Sequence, residues 1–159
     1  PSAVRYPRGA ATTLANHADI TSDLQALPFG QAEQCREGKK VALLVFGTLL
    51  TNAMEAAETL DASVYNMRYV KPLDTRAIEQ AAQSHDLLVT IEDNAIAGGA
   101  GSAVSEYLDQ ENIDTSILHL GFPDEYINHG SPEELIRDWQ LDAGGMLKTI
   151  QARIKALIS

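Results

Sequence analysis

From Lys40 onward the chain alternates short, wholly apolar runs with longer stretches in which apolar residues recur three and four positions apart. Val41 to Phe46 is six consecutive apolar residues, the pattern of a strand covered on both faces. Gly47-Thr48 turns the chain, and Thr51 to Leu60 then places Ala53, Ala56, Ala57 and Leu60 on one side of a helix. The β-rich segment Ala62 to Met67 follows, which completes a βαβ unit. A second cycle begins at Asp74, placed to cap a helix running through Ser84, with Pro72 stiffening the loop ahead of it. Its strand is Asp86 to Glu92, its turn is the glycine-rich Ala97 to Gly101, and a helix from about Ser102 to Asp109 leads to a strand at Thr115 to Leu120.

The ends read differently. Gly30 to Glu37 alternates loosely, with Ala32 and Cys35 as its apolar members, and Glu37-Gly38-Lys39 forms a tight turn; together they suggest a hairpin-like entry strand lying antiparallel at an edge. Ser131 is an N-cap with Pro132 at the first helical position and Glu134 at capping-box spacing. Asp142 opens a last helix whose Met146, Ile150, Ile154 and Leu157 are spaced to pack on the sheet. Strands alternating with helices give an α/β fold, a mostly parallel five-stranded sheet with one antiparallel edge strand and helices on both faces. Residues 1–26 lack any sustained period and read as the tail of a preceding domain plus a linker, leaving 27–159 as the folded unit.

Composition sharpens this in three ways. At 159 residues and 45% hydrophobic content there is apolar material for one core and too little for two. A net charge of -10, with 12 Lys and Arg, opposes contact with a phosphodiester backbone, so a nucleic-acid partner is not expected. Cys35 is the single cysteine, which excludes an intrachain disulfide, and no apolar run reaches the 18 or so residues that would span a bilayer. A reducing, soluble compartment fits best. Beginning at Pro1 without a secretory signal, the sequence reads as a segment of something longer.

Chemistry is sparse. The turn at Gly98, Gly99 and Gly101 with Ser102 sits between a strand and a helix, where amides can hold a small anion or meet a partner, yet it lacks the spacing of a dinucleotide or phosphate loop; a tight turn letting the helix approach the sheet is the simpler account. Glu92 and Asp93 end a strand where α/β sheets place ligands, but neighbours along a strand point to opposite faces, and solvated or interface-pairing carboxylates are expected. His17, His85, His119 and His129 have no metal-ligand spacing with each other or with Cys35. His85 and His119 are expected to be packed or surface side chains. No catalytic residue and no metal ligand is assigned. Arg5 and Arg8 flank Tyr6-Pro7, a stiff backbone from which a guanidinium can take a phosphate in a bidentate fork.

The segment Ala3-Val-Arg-Tyr-Pro-Arg-Gly9 resembles the end of the pyrimidine-binding domain of the deoxyxylulose-phosphate synthase family. Met67 to Asp74, Ser84 to Glu92, Asn94 to Ser102 and Gly121 to Asp124 resemble, in order and spacing, successive blocks of that family's transketolase-like C-terminal domain. Lys71-Pro-Leu-Asp74 and the Glu-then-Gly-Gly pattern are shared with transketolases and 2-oxo acid dehydrogenase β subunits; the Arg-Tyr-Pro-Arg-Gly, Asn-Ala-Ile and 129–134 blocks single out the synthase. The resemblance implies a transferase that condenses pyruvate with glyceraldehyde 3-phosphate to 1-deoxy-D-xylulose 5-phosphate and carbon dioxide, for isoprenoid, thiamine and pyridoxal synthesis. It also implies thiamine diphosphate and Mg2+ bound by upstream domains and not by these residues, a homodimer, and a cytoplasmic or, in a plant, plastid location. Arg8 resembles the arginine that binds the phosphate of glyceraldehyde 3-phosphate, and the isolated piece is expected to be inactive and architectural. A different class of reading stays open beside it, a stand-alone anion-binding or protein-interaction module, as does the equivalent domain of a transketolase or dehydrogenase β subunit.

Overall fold

The computed structural model describes residues 1–6 and 26–158. Ten elements follow in the order β1 (Glu33–Arg36), β2 (Val41–Phe46), α1 (Leu50–Leu60), β3 (Ser63–Asn66), α2 (Thr75–Ser84), β4 (Leu87–Ala95), α3 (Ala100–Gln110), β5 (Ser116–Phe122), α4 (Pro132–Asp138) and α5 (Ala143–Ile158). The five strands form one sheet in the order β1-β3-β2-β4-β5. The pairs of β2 with β3, β2 with β4 and β4 with β5 are parallel, and β1 lies antiparallel on β3. The α/β architecture with one antiparallel edge strand is therefore as the pattern implies.

Two apolar clusters explain why the central strands carry no polar alternation. One face of β2, with Leu43 and Val45, joins Val89 and Ile91 of β4 under α1 and α5. The other face, with Ala42, Leu44 and Leu88, is covered by Ile78 and Ala81 of α2 and by Val104 and Leu108 of α3. Every residue of β2 is buried because helices close both sides, and a two-sided strand gains nothing from a polar position.

Three expectations are corrected. The segment before Lys40 does not form a hairpin with β2: β1 pairs with β3 instead, since the tight step at Gly38 delivers the chain past the β3 edge, where Gly38 N donates to Ser63 Oγ at 2.9 Å. The strand expected to end at Glu92 runs on to Ala95, because after a register irregularity it pairs again with Phe122 of β5. In α5, Met146 and Ile150 are buried and Ile154 packs against the core, but Leu157 is exposed, the helix having run past the sheet it rests on.

Candidate functional site

The strand order fixes where a site can form. From β2 the chain moves to β3 on one side, and from β4 it moves to β5 on the other, so the carboxyl ends of β2 and β4 border the crevice where an open α/β sheet has its topological switch point. The pairing of these strands ends with Phe46 opposite Glu92. Beyond it stand Gly47 and Thr48 on one side and Asp93 on the other, and beside them the N-terminus of α3.

Glu92 and Asp93 diverge, as strand geometry requires. Glu92 is buried, 3% exposed, and its two oxygens accept from Ala100 N at 2.8 Å and Gly101 N at 2.9 Å. This corrects the solvated or interface-pairing role expected for it: the carboxylate is an internal anion placed on the positive end of α3, whose N-cap, Gly99, has no side chain to do the same. The glycines make room for it. A Cβ on Gly99 would lie 2.3 Å from Glu92 Oε2, and one on Gly101 would lie 2.5 Å from Thr90 Oγ1 and 2.7 Å from His119 Nδ1. Gly98 N donates to Ser102 Oγ at 3.1 Å, Gly99 N donates to Ile96 O, and Ser102 Oγ donates to Ile96 O at 2.8 Å. With these groups donated inside the chain, an external anion at Gly98, Gly99, Gly101 and Ser102 would compete with Ser102 Oγ, Ile96 O and Glu92 for them.

His119 belongs to the same cluster. Its Nδ1 lies 2.6 Å from Thr90 Oγ1 and its Nε2 2.9 Å from Ser105 Oγ, so each ring nitrogen has a hydroxyl partner able to donate or accept. Burial pushes its pKa below the usual histidine value, while the charge of Glu92 pulls the other way. His85 is likewise bonded, to Ala81 O at 2.9 Å and Ser63 Oγ at 2.8 Å, which ties the end of α2 to β3. Among the described residues no buried side-chain polar atom lacks a partner, and no group of three or more His, Cys, Asp or Glu is arranged to hold a metal ion.

Asp93 faces the crevice. Its Oδ2 accepts from Thr48 Oγ1 at 2.8 Å, and Arg5, 88 positions earlier in the chain, donates through Nη2 both to Oδ1 and to Asp93 O, the latter at 3.1 Å. Gly47, at φ +92°, brings its backbone so near that a Cβ there would lie 2.8 Å from Asp93 Oδ1. The first arginine of the Arg-Tyr-Pro-Arg block is thus held on the switch point, and nothing in the sequence pairs Arg5 with Asp93 before folding. The second, Arg8, lies outside the described residues.

With this geometry in place, comparison decides the family: residues 30–146 match the model of the transketolase C-terminal domain. The chain belongs to the transketolase C-terminal domain family. Among curated relatives it is 55% identical over 152 residues to a 1-deoxy-D-xylulose-5-phosphate synthase of Shewanella oneidensis, covering 96% of this chain and 24% of the relative. It is 51% identical over 154 residues to the synthase of Pseudoalteromonas translucida, covering 97% and 24%. This transketolase C-terminal domain thus spans about a quarter of the length of the relatives it matches. Among solved structures it superposes with a TM-score of 0.73 on a chain described as split gene transketolase, inactive beta4 tetramer, at 28% identity over 79% of this chain and 43% of that one. The superposition gives this chain, with its antiparallel edge strand, the fold of a transketolase chain, as the sequence blocks imply.

Proposed function

We propose that this domain is the C-terminal part of a 1-deoxy-D-xylulose-5-phosphate synthase, a thiamine-diphosphate-dependent transferase joining pyruvate and glyceraldehyde 3-phosphate with loss of carbon dioxide. One observation carries the reading: identity of 51 to 55% runs over nearly the whole chain to synthases, against 28% to the transketolase structure. Thiamine diphosphate supplies the carbanion chemistry in such an enzyme. In this reading thiamine diphosphate and Mg2+ are held by the other domains of the synthase; among the described residues no group of three or more His, Cys, Asp or Glu is arranged to hold a metal ion. The other domains of the same protein and a second subunit are its partners in this reading.

In this reading Arg8 takes the phosphate of glyceraldehyde 3-phosphate, its planar fork matching two phosphate oxygens. In the whole synthase, Arg8→Ala is expected to raise the KM for glyceraldehyde 3-phosphate by roughly 10- to 100-fold, as the loss of a charge-assisted bidentate contact does, with the KM for pyruvate held. Saturation by the aldehyde at the wild-type concentration would overturn the assignment of Arg8. Turnover of the two substrates by the isolated chain would overturn the architectural role.

A further inference from the structure

At the opposite end of the sheet from the switch point, where β2, β3 and β4 begin, lies a cavity of about 220 Å³. Glu37 and Gly38 line it from the turn before β2, Ser63 and Tyr65 from β3, and Ser84 and His85 from the end of α2. Pockets that take drug-sized ligands run from roughly 300 to 1,000 Å³, so a cavity of this size suits a compound of a few non-hydrogen atoms.

Ser63 and His85 are already satisfied. His85 Nδ1 donates to Ala81 O at 2.9 Å, so in the neutral ring Nε2 accepts from Ser63 Oγ at 2.8 Å, and Ser63 Oγ accepts in turn from Gly38 N at 2.9 Å. Tyr65 differs from them. Only 5% of the residue is exposed, yet among the described residues its hydroxyl makes no hydrogen bond. An enclosed tyrosine hydroxyl ordinarily finds a partner. No buried side-chain polar atom among the described residues lacks one, so this hydroxyl is the part of Tyr65 left open, and it opens on the cavity that the residue lines.

Charge selects what can meet it. Glu37 is exposed and forms no ion pair among the described residues. Burial pushes the Tyr65 pKa up, and the Glu37 carboxylate pushes it further, as expected of two groups facing one space. The C-terminus of α2 ends at the cavity with no basic residue in its last turn to balance the negative end of the helix dipole. No Lys or Arg lines the cavity, and Arg36 and Lys39, which flank Glu37-Gly38, are turned to Asp61 at 3.3 and 3.5 Å. An anion would meet only negative charge here, whereas a cation finds a carboxylate, a helix C-terminus and an open hydroxyl.

We propose that this cavity binds a small organic cation, a primary ammonium compound that donates to Glu37 and bonds the Tyr65 hydroxyl through a second polar group.

Three compounds of similar size and different charge test it: ethanolamine, ethylene glycol and glycolate. Each is titrated at pH 7 and low salt into the isotopically labelled chain, residues 1–159, while amide shifts are followed by NMR. Ethanolamine is expected to shift the amides of Gly38, Ser63, Tyr65 and His85 saturably, with a Kd on the order of 1 mM, as suits so few atoms. The neutral and anionic compounds should bind at least about tenfold more weakly. Tyr65→Phe removes a hydroxyl without a partner in the fold and should weaken ethanolamine about fivefold, and Glu37→Gln, at an exposed side chain, should weaken it about tenfold. Equal binding of ethylene glycol, or tighter binding of glycolate, overturns the proposal. So do shifts that stay linear or spread over carboxylates elsewhere on the surface, and so does unchanged ethanolamine affinity in either variant. Should a variant fold poorly, the charge series on the unaltered chain decides.

Discussion

At the scale of the residue, this domain is organised by carboxylates whose roles differ through a step of one position. Glu92 turns inward and closes the N-terminus of α3, while Asp93 turns outward to Thr48 and Arg5. Glu92→Gln keeps shape and volume but sets an amide NH2 against one of the two donating backbone N–H groups. It is expected to cost about 2 to 3 kcal/mol in chemical denaturation, the value of hydrogen bonds to a buried charged group. A loss below about 1 kcal/mol would mean that the helix end is held by other contacts. Alternation along a strand made the divergence of the two side chains readable beforehand, but the burial of Glu92 was not. Its pattern, a carboxylate eight and nine residues before two amides, becomes a contact only when the glycine turn folds α3 back over β4.

At the scale of the element, capping was the most legible feature, because a cap involves residues three apart whatever the tertiary structure. Ser131 and Glu134 form the expected capping box, and Ser131 N–H donating to Glu134 holds that carboxyl below the usual range. Asp74 caps α2 through Ala77 N at 3.0 Å, as its position suggests. It also accepts from Ala32 N at 2.7 Å, 42 residues away, so one side chain serves a local helix end and a distant segment next to β1. Asp74→Ala should therefore cost more than an ordinary cap, at the upper end of the roughly 0.5 to 2 kcal/mol range, and Asp74→Asn should recover only one of the two bonds, since its NH2 is set against the other N–H donor. Amide exchange measured at both Ala77 and Ala32 checks this, since a purely local cap would leave Ala32 unaffected. The pairing of β1 was the element hardest to read. Its alternation is weak, and a strand next to a tight turn suits a hairpin with β2, whereas here both edges of β2 are already taken by β3 and β4.

At the scale of the whole molecule, the buried members of both apolar clusters among the described residues are drawn from residues 41 to 150, and none is among residues 1–6. A chain trimmed to 27–159 should therefore fold, with unchanged far-UV circular dichroism and a thermal midpoint within about 3 °C of the longer chain, since in residues 1–6 the contact to the sheet is made by the exposed Arg5 side chain on Asp93. Loss of cooperative unfolding on trimming would show that the tail belongs to the folded unit. Sequence by itself determined the alternation of elements, hence the α/β class, the two-sided burial of β2 and the caps, because each of these depends on residues a few positions apart and on the period of the backbone. Tertiary structure alone decided which strand β1 joins, that Glu92 is the anion at α3, and that Arg5 meets Asp93 at the switch point. Each of these is a contact between residues whose distance in the chain says nothing about their distance in space, and packing around the sheet selects it.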